Sequence, residues 1–111
     1  LKFSTFKSLE YLDLSYNNIK EISLNKLEKS LEFLNLSHNN ISNLGFYKKI
    51  NTTDLSFNNF TSIMLMPVDN LLINNNNLKD LSCIAILNNF KNIKFMSLNN
   101  NKLKAFENLR F

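Results

Sequence analysis

His38 and Cys83 are the only histidine and the only cysteine in the chain. A metal site built from several histidines is therefore excluded, and no cysteine stands near His38 in the repeat register. Two carboxylates, Asp13 and Asp54, occupy equivalent positions, but two repeat units separate them. At the spacing of adjacent strands that is roughly 10 Å, too far for a shared-proton pair. Nothing in the chain supports catalysis, a cofactor or a metal. The residue type that recurs in a constant setting is Asn. The chain has 22 Asn, no Gln and no Trp, and only one Gly and one Pro. An Asn amide carries donors and an acceptor, so its chemistry here is to satisfy backbone groups that a bend leaves unpaired. Asn also tolerates the left-handed backbone conformation, which lets it take the turn role usually filled by Gly.

The elements that position these amides repeat. Leu9, Leu12, Leu14, Asn17 and Ile19 occupy relative positions 1, 4, 6, 9 and 11 of LEYLDLSYNNI. The same positions hold Leu31, Leu34, Leu36, Asn39 and Ile41, then Ile50, Thr53, Leu55, Asn58 and Phe60. They recur as Val68, Leu71, Ile73, Asn76 and Leu78, and as Ile93, Met96, Leu98, Asn101 and Leu103. Steps between the key asparagines are 22, 19, 18 and 25 residues. Positions 4 and 6 alternate inward on a short strand, while 3, 5 and 7 point outward. Asn17, Asn39, Asn58, Asn76 and Asn101 then form a ladder of buried amides where each chain leaves its strand. In the run Asn74–Asn77 only Asn76 is in register, so the reading is one working residue in a permissive tract.

Five copies of L-x-x-L-x-L-x-x-N-x-L resemble the leucine-rich repeat. The resemblance implies an α/β solenoid with a curved parallel β-sheet on its concave face and an irregular or 3₁₀ convex side. Residues 1–111 form one array, with repeats starting near 9, 31, 50, 68 and 93. A match between FKSLEYLDLSYNNIKEI and FKNIKFMSLNNNKLKAF makes the segment before Leu9 the back half of an earlier repeat. With no visible cap, the chain is expected to be part of a longer array. Short helical turns are expected around Ser23–Lys29 and Ser82–Phe90, and Pro67 fits just before a strand.

The outward columns define the working face. Position 3 carries Tyr11, Phe33, Thr52, Asn70 and Phe95; position 5 carries Asp13, Asn35, Asp54, Leu72 and Ser97. Position 7 carries Ser15, Ser37, Ser56, Asn74 and Asn99; position 8 carries Tyr16, His38, Phe57, Asn75 and Asn100. The formal charge is +4, yet no Lys or Arg enters these columns. That argues against nucleic acid, whose contact surface needs aligned cations. Aromatics favoured at protein interfaces enter instead, although strand propensity and cross-strand stacking also account for them. The expected partner-binding residues are Tyr11, Asp13, Tyr16, Phe33, Asn35, His38, Asp54, Phe57, Leu72 and Phe95. Five strands offer on the order of 350 Å², against about 800 Å² per partner in a standard interface. The face therefore holds part of a binding site. The segment shows no run long and apolar enough to insert in a membrane.

Compartment is less constrained. N-x-S/T sequons fall at Asn35, Asn40, Asn51 and Asn59. Chance pairing of 22 Asn with 15 Ser and Thr over 111 residues gives about three, so four is no excess. The strings LDLSYNNI, LNLSHNNI and LDLSFNNF are similar to the repeats of extracellular leucine-rich proteins, including Toll-type receptors. The short repeat MPVDNLLINNNNLKDLSC, followed by a strand ending NNNKL, resembles the secreted insect leucine-rich repeat immune proteins. That resemblance implies a secreted, disulfide-bonded glycoprotein of innate immunity that recognises other proteins. It also implies that Cys83 pairs with a cysteine outside this chain. Hetero- or homodimerisation would then run through a coiled-coil region absent from this sequence. The alternatives are a cytoplasmic leucine-rich repeat scaffold of the phosphatase-regulator or cytoskeletal type, and a receptor ectodomain. The former usually has uniform 22-residue repeats, which the spacing here lacks.

Overall fold

The computed structural model describes residues 8–24, 31–44, 49–62, 68–79 and 93–103. Five strands lie in these ranges: β1 (Tyr11–Asp13), β2 (Phe33–Asn35), β3 (Ile50–Asp54), β4 (Val68–Leu72) and β5 (Phe95–Ser97). They form one parallel sheet in the order β1-β2-β3-β4-β5. Tyr11 pairs with Phe33, Phe33 with Thr52, Thr52 with Asn70, and Asn70 with Phe95. These partners are the same position-3 row that aligning the repeats produces. A parallel sheet whose neighbours are consecutive in sequence, joined to a family of repeats, fits a repeat solenoid.

The strands form where they do because their inward residues need a common core. Leu31, Leu34, Leu36, Ile41, Ile50, Leu55, Phe60, Leu71, Ile73 and Leu78 are all essentially inaccessible to solvent. These are positions 1, 4, 6 and 11 of the three central coils. Burying one such side chain contributes about 1.5–3 kcal/mol. Leu9, Leu12, Leu14 and Ile19 in the first coil, and Ile93, Met96, Leu98 and Leu103 in the fifth, are only partly buried against this core. Each of those coils has a described neighbour on one side only. Ile22, Leu24 and Leu44 extend the core into the turns.

The ladder continues past the strand ends. Position 6 donates to position 5 of the next coil in Leu14–Asn35, Leu36–Asp54, Leu55–Leu72 and Ile73–Ser97, at 2.7–3.0 Å. Position 8 donates to position 7 of the next coil, as in Tyr16–Ser37 and Phe57–Asn74. Beyond the bend, the position-10 N–H donates back to position 11 of the preceding coil, from Asn40 to Ile19, Asn59 to Ile41, Asn77 to Phe60 and Lys102 to Leu78. Backbone pairing thus runs from coil to coil on both sides of the turn.

Among the described residues there is no helix, so the helical half of the α/β expectation has no support there. The described backbone opposite the strands is irregular. The helical turns expected at Ser23–Lys29 and Ser82–Phe90 lie partly or wholly outside the described residues, as do Pro67 and Cys83.

Candidate functional site: a sheet face with two aromatic rows

The site is built on the asparagine bends. Asn39 Oδ1 accepts from the Ile19 N–H at 3.0 Å, and its Nδ2 donates to the Leu14 carbonyl at 3.0 Å. Asn58 does the same to Ile41 and Leu36, both at 2.9 Å. Asn76 joins Phe60 and Leu55, and Asn101 joins Leu78 and Ile73. Each of these amides also donates to two carbonyls of its own bend, such as Leu55 and Ser56 for Asn58. The side chain therefore fastens a coil to the one before it as well as closing its own turn. Asn17 has only its own-coil bonds to Leu14 and Ser15, and it is exposed. Asn58 and Asn76 are buried; Asn39 and Asn101 are half-buried.

A second device sets the path just before each amide. Asp13 Oδ1 accepts from the N–H and the hydroxyl of Ser15, at 2.9 and 2.6 Å. Asn35 accepts the same pair from Ser37, at 3.0 and 2.7 Å, and Asp54 accepts the Ser56 N–H at 2.9 Å. These bonds hold the Asp13 carboxyl below its ordinary value of 3.8, the Ser15 hydroxyl contributing most and its N–H next. Position 7 was expected to point outward. Ser37 and Ser56 are instead buried, because their hydroxyls serve bonds within and between coils.

In the fourth coil position 5 is Leu72, which cannot accept. The Asn74 N–H turns to Ser56 Oγ of the preceding coil at 3.1 Å. Asn74 Oδ1 in turn accepts from the Asn99 N–H and the Ser97 hydroxyl, both at 2.7 Å. The reading of one working residue in the Asn74–Asn77 run is thereby corrected. Asn74 supplies the position-7 N–H of the fifth coil with the acceptor that Ser97 there does not, Asn75 makes the bend, and Asn76 fastens the coils.

Position 8 carries the feature that the repeat alignment missed. Tyr16, His38, Phe57, Asn75 and Asn100 all have positive φ, between 55° and 57°. Each of these five described bends passes through the left-handed region at this position. Asn enters it readily, whereas Tyr, His and Phe do so at about 1–2 kcal/mol. The rings there stack: Tyr16 on His38 at 4.0 Å and 9°, His38 on Phe57 at 4.2 Å and 12°. Stacking contributes about 0.5–1.5 kcal/mol per pair beyond burial and offsets part of that strain. Asn at 75 and 100 was the available sign of the left-handed backbone.

The sequence-derived partner-binding residues thus divide into rows. Tyr11 and Phe33 pair at 6.5 Å on the entry side of the face, and Phe95 lies three strands further on. Tyr16, His38 and Phe57 line the exit side. Asp13, Asn35, Asp54 and Leu72 lie between. Tyr11 and Tyr16 are 69% and 74% exposed, Phe57 and Phe95 47% and 53%. His38 is half-buried between its two rings.

Of the sequon residues, Asn40 and Asn59 are exposed, and Asn59 Nδ2 donates to Asn40 Oδ1. Both border a groove of about 570 Å³ on the turn side, with Lys20, Glu21 and Ser42. Asn51 is half-buried, its amide donating to Glu32 at 2.6 Å, and Asn35 stands on the sheet face. Among the described residues no group of His, Cys, Asp and Glu is arranged to hold a metal. No described helix is long and apolar enough to cross a membrane.

Residues 2–41 match the family model of the leucine rich repeat. That match supports a leucine-rich repeat protein; such repeats are generally non-catalytic and typically bind proteins. No curated protein and no solved structure shows significant similarity to the chain.

Proposed function

We propose that this leucine-rich repeat segment is a non-catalytic recognition module that binds a protein partner through the exposed face of its sheet. The observation that carries the reading is the exposure of Tyr11, Tyr16, Phe57 and Phe95 on a backbone tied from coil to coil. Strand propensity and cross-strand stacking account for part of these rings, and Tyr and Phe are also favoured at protein interfaces, where their exposed surface would be buried. The test places a photo-cross-linking amino acid at Tyr11 and, separately, at Lys79 in the intact protein from its native source. Cross-linking from Tyr11 but not from Lys79, and weaker binding by Tyr11→Ala and Phe33→Ala at unchanged melting temperature, is expected. Capture from Lys79 alone would move the interface to the turns.

The protein is, on this proposal, an extracellular recognition protein of innate immunity. Its support is the L-x-L-S-x-N repeats and the short repeat ending at Cys83. The exposure of Asn40 and Asn59 leaves both sequons open to a glycan. Unreduced peptide mass spectrometry of the native protein tests this. A disulfide at Cys83 with glycan at Asn40 or Asn59 is expected; a free thiol and bare asparagines would place the array inside the cell.

A further inference from the structure

The whole chain is positive and its sheet face is not. With a formal charge of +4, the molecule has cations enough to dress every surface. Yet rows 3, 5, 7 and 8 contain Asp13 and Asp54 and no Lys or Arg. Glu10 and Glu32, directly before β1 and β2, are exposed. Asp69, before the centre of β4, is held by Lys49 at 3.0 Å, and Lys94 stands directly before β5. The face rows of the first three coils therefore carry carboxylates without a cation, on a basic protein. A phosphate backbone or an anionic membrane would be repelled there.

The carboxylates are also placed. Along the strand direction, the Asp13–Asn35–Asp54 row lies between the Tyr11–Phe33 row and the Tyr16–His38–Phe57 row. A cation above Asn35 would be one strand spacing, about 4.8 Å, from each carboxylate column. It would have aromatic rings on either side. Asp13 spends Oδ1 on Ser15 and has its second oxygen to offer. Two such carboxylates suit a guanidinium better than an ammonium, because its planar fork of donors pairs with carboxylate edges while a point-like ammonium does not.

Resting on the protein-binding reading above, we propose that the occupant of this face is an arginine-bearing, cationic segment of the partner protein, seated over Asn35 between Asp13 and Asp54. The test titrates the intact protein with short peptides in which Ser alternates with Arg, Lys, Glu or Tyr. Titrations are run at low and at physiological ionic strength. Asp13→Asn/Asp54→Asn is the decisive variant. Asn35 makes the same bonds to Ser37 that Asp13 makes to Ser15, so the substitution removes charge and keeps the turn. A melting curve checks that it does.

The arginine peptide should bind wild type, with the lysine peptide weaker and the glutamate peptide not binding. The double variant should lose about tenfold in affinity for the arginine peptide. An unchanged affinity in the double variant, or no binding of the arginine peptide, overturns the inference. If the tyrosine peptide binds instead and Tyr11→Ala abolishes it, the cationic partner is wrong and the protein-binding face stands. If no peptide responds to Tyr11→Ala or Phe33→Ala and cross-linking from Tyr11 captures nothing, the face reading falls as well. Salt-sensitive self-association of wild type, absent in the double variant, would make the occupant a second copy of this chain and likewise overturn the proposal.

Discussion

The side-chain amide of Asn58 donates to the carbonyl of Leu36, one coil back, at 2.9 Å, and accepts from the N–H of Ile41 in that same coil at 2.9 Å. The amide is buried, so water cannot replace either bond. A single side chain thus links the exit of one coil to both sides of the bend before it. This makes neighbouring coils interdependent, which a sheet of isolated short strands would not be.

Asn58→Ala removes these bonds and leaves buried backbone groups unpaired, at about 1–3 kcal/mol for a stranded group. A cost near the upper end is expected, because groups in two coils lose their partner. Asn59→Ala next door alters an exposed side chain and should change stability by about 0.5 kcal/mol or less. Urea midpoints of the two variants give the comparison. Equal midpoints would remove the coil-fastening role.

Thr53 is the opposite case. It occupies position 4, where the other coils carry Leu12, Leu34, Leu71 and Met96, and it is fully buried. Its Oγ1 has no hydrogen-bond partner among the described residues. A buried hydroxyl without a partner costs about 1–3 kcal/mol. Thr53→Val keeps the branched shape and deletes that hydroxyl. It should raise the melting temperature by a few degrees. A lower melting temperature would show that the hydroxyl is bonded.

The rows of the sheet were legible because strand periodicity is strict. Once Leu12 and Leu34 share a position, Tyr11 and Phe33 must share the outward one beside it. The asparagine ladder followed from the same alignment, because an amide recurring where a chain bends has few other uses. What stayed hidden depended on φ and on hydrogen-bond direction, which residue type reports weakly. Tyr16, His38 and Phe57 are poor markers of left-handed backbone, so their row read as open concave surface rather than a stacked edge. Ser37 and Ser56 read as outward by parity, but the chain has already begun to bend there, and parity fails. Leu72 and Ser97 break the position-5 acceptor pattern, and only the geometry shows Ser56 and Asn74 taking their places.

The left-handed bend gives a contrast within the asparagine run. Asn75 has φ 55°, whereas the Asn77 contribution is a backbone N–H to Phe60 at 2.8 Å. Val is stiff and β-branched, and the left-handed region penalises it most. Asn75→Val should cost about 1–2 kcal/mol. Asn77→Val keeps its N–H and should cost about 0.5 kcal/mol or less. Denaturant midpoints read both, and equal losses would mean the run is uniform.

Asp13 makes stability depend on acid in a defined direction. The Ser15 hydroxyl and N–H bond its carboxylate and lower its value below 3.8. A group whose folded value is depressed binds fewer protons in the folded chain than in the unfolded one. Its stabilisation is full above the unfolded value and fades as pH falls through the folded one. Asp13→Asn retains the hydrogen bonds in the manner of Asn35 and does not titrate. The difference in urea midpoint between wild type and Asp13→Asn should therefore be flat from neutral pH to about pH 5 and move against wild type below about pH 4. A difference that stays constant into strong acid would show that the Ser15 bonds do not favour the charged form, and Asp13 would then be an unconstrained surface carboxylate on the sheet face.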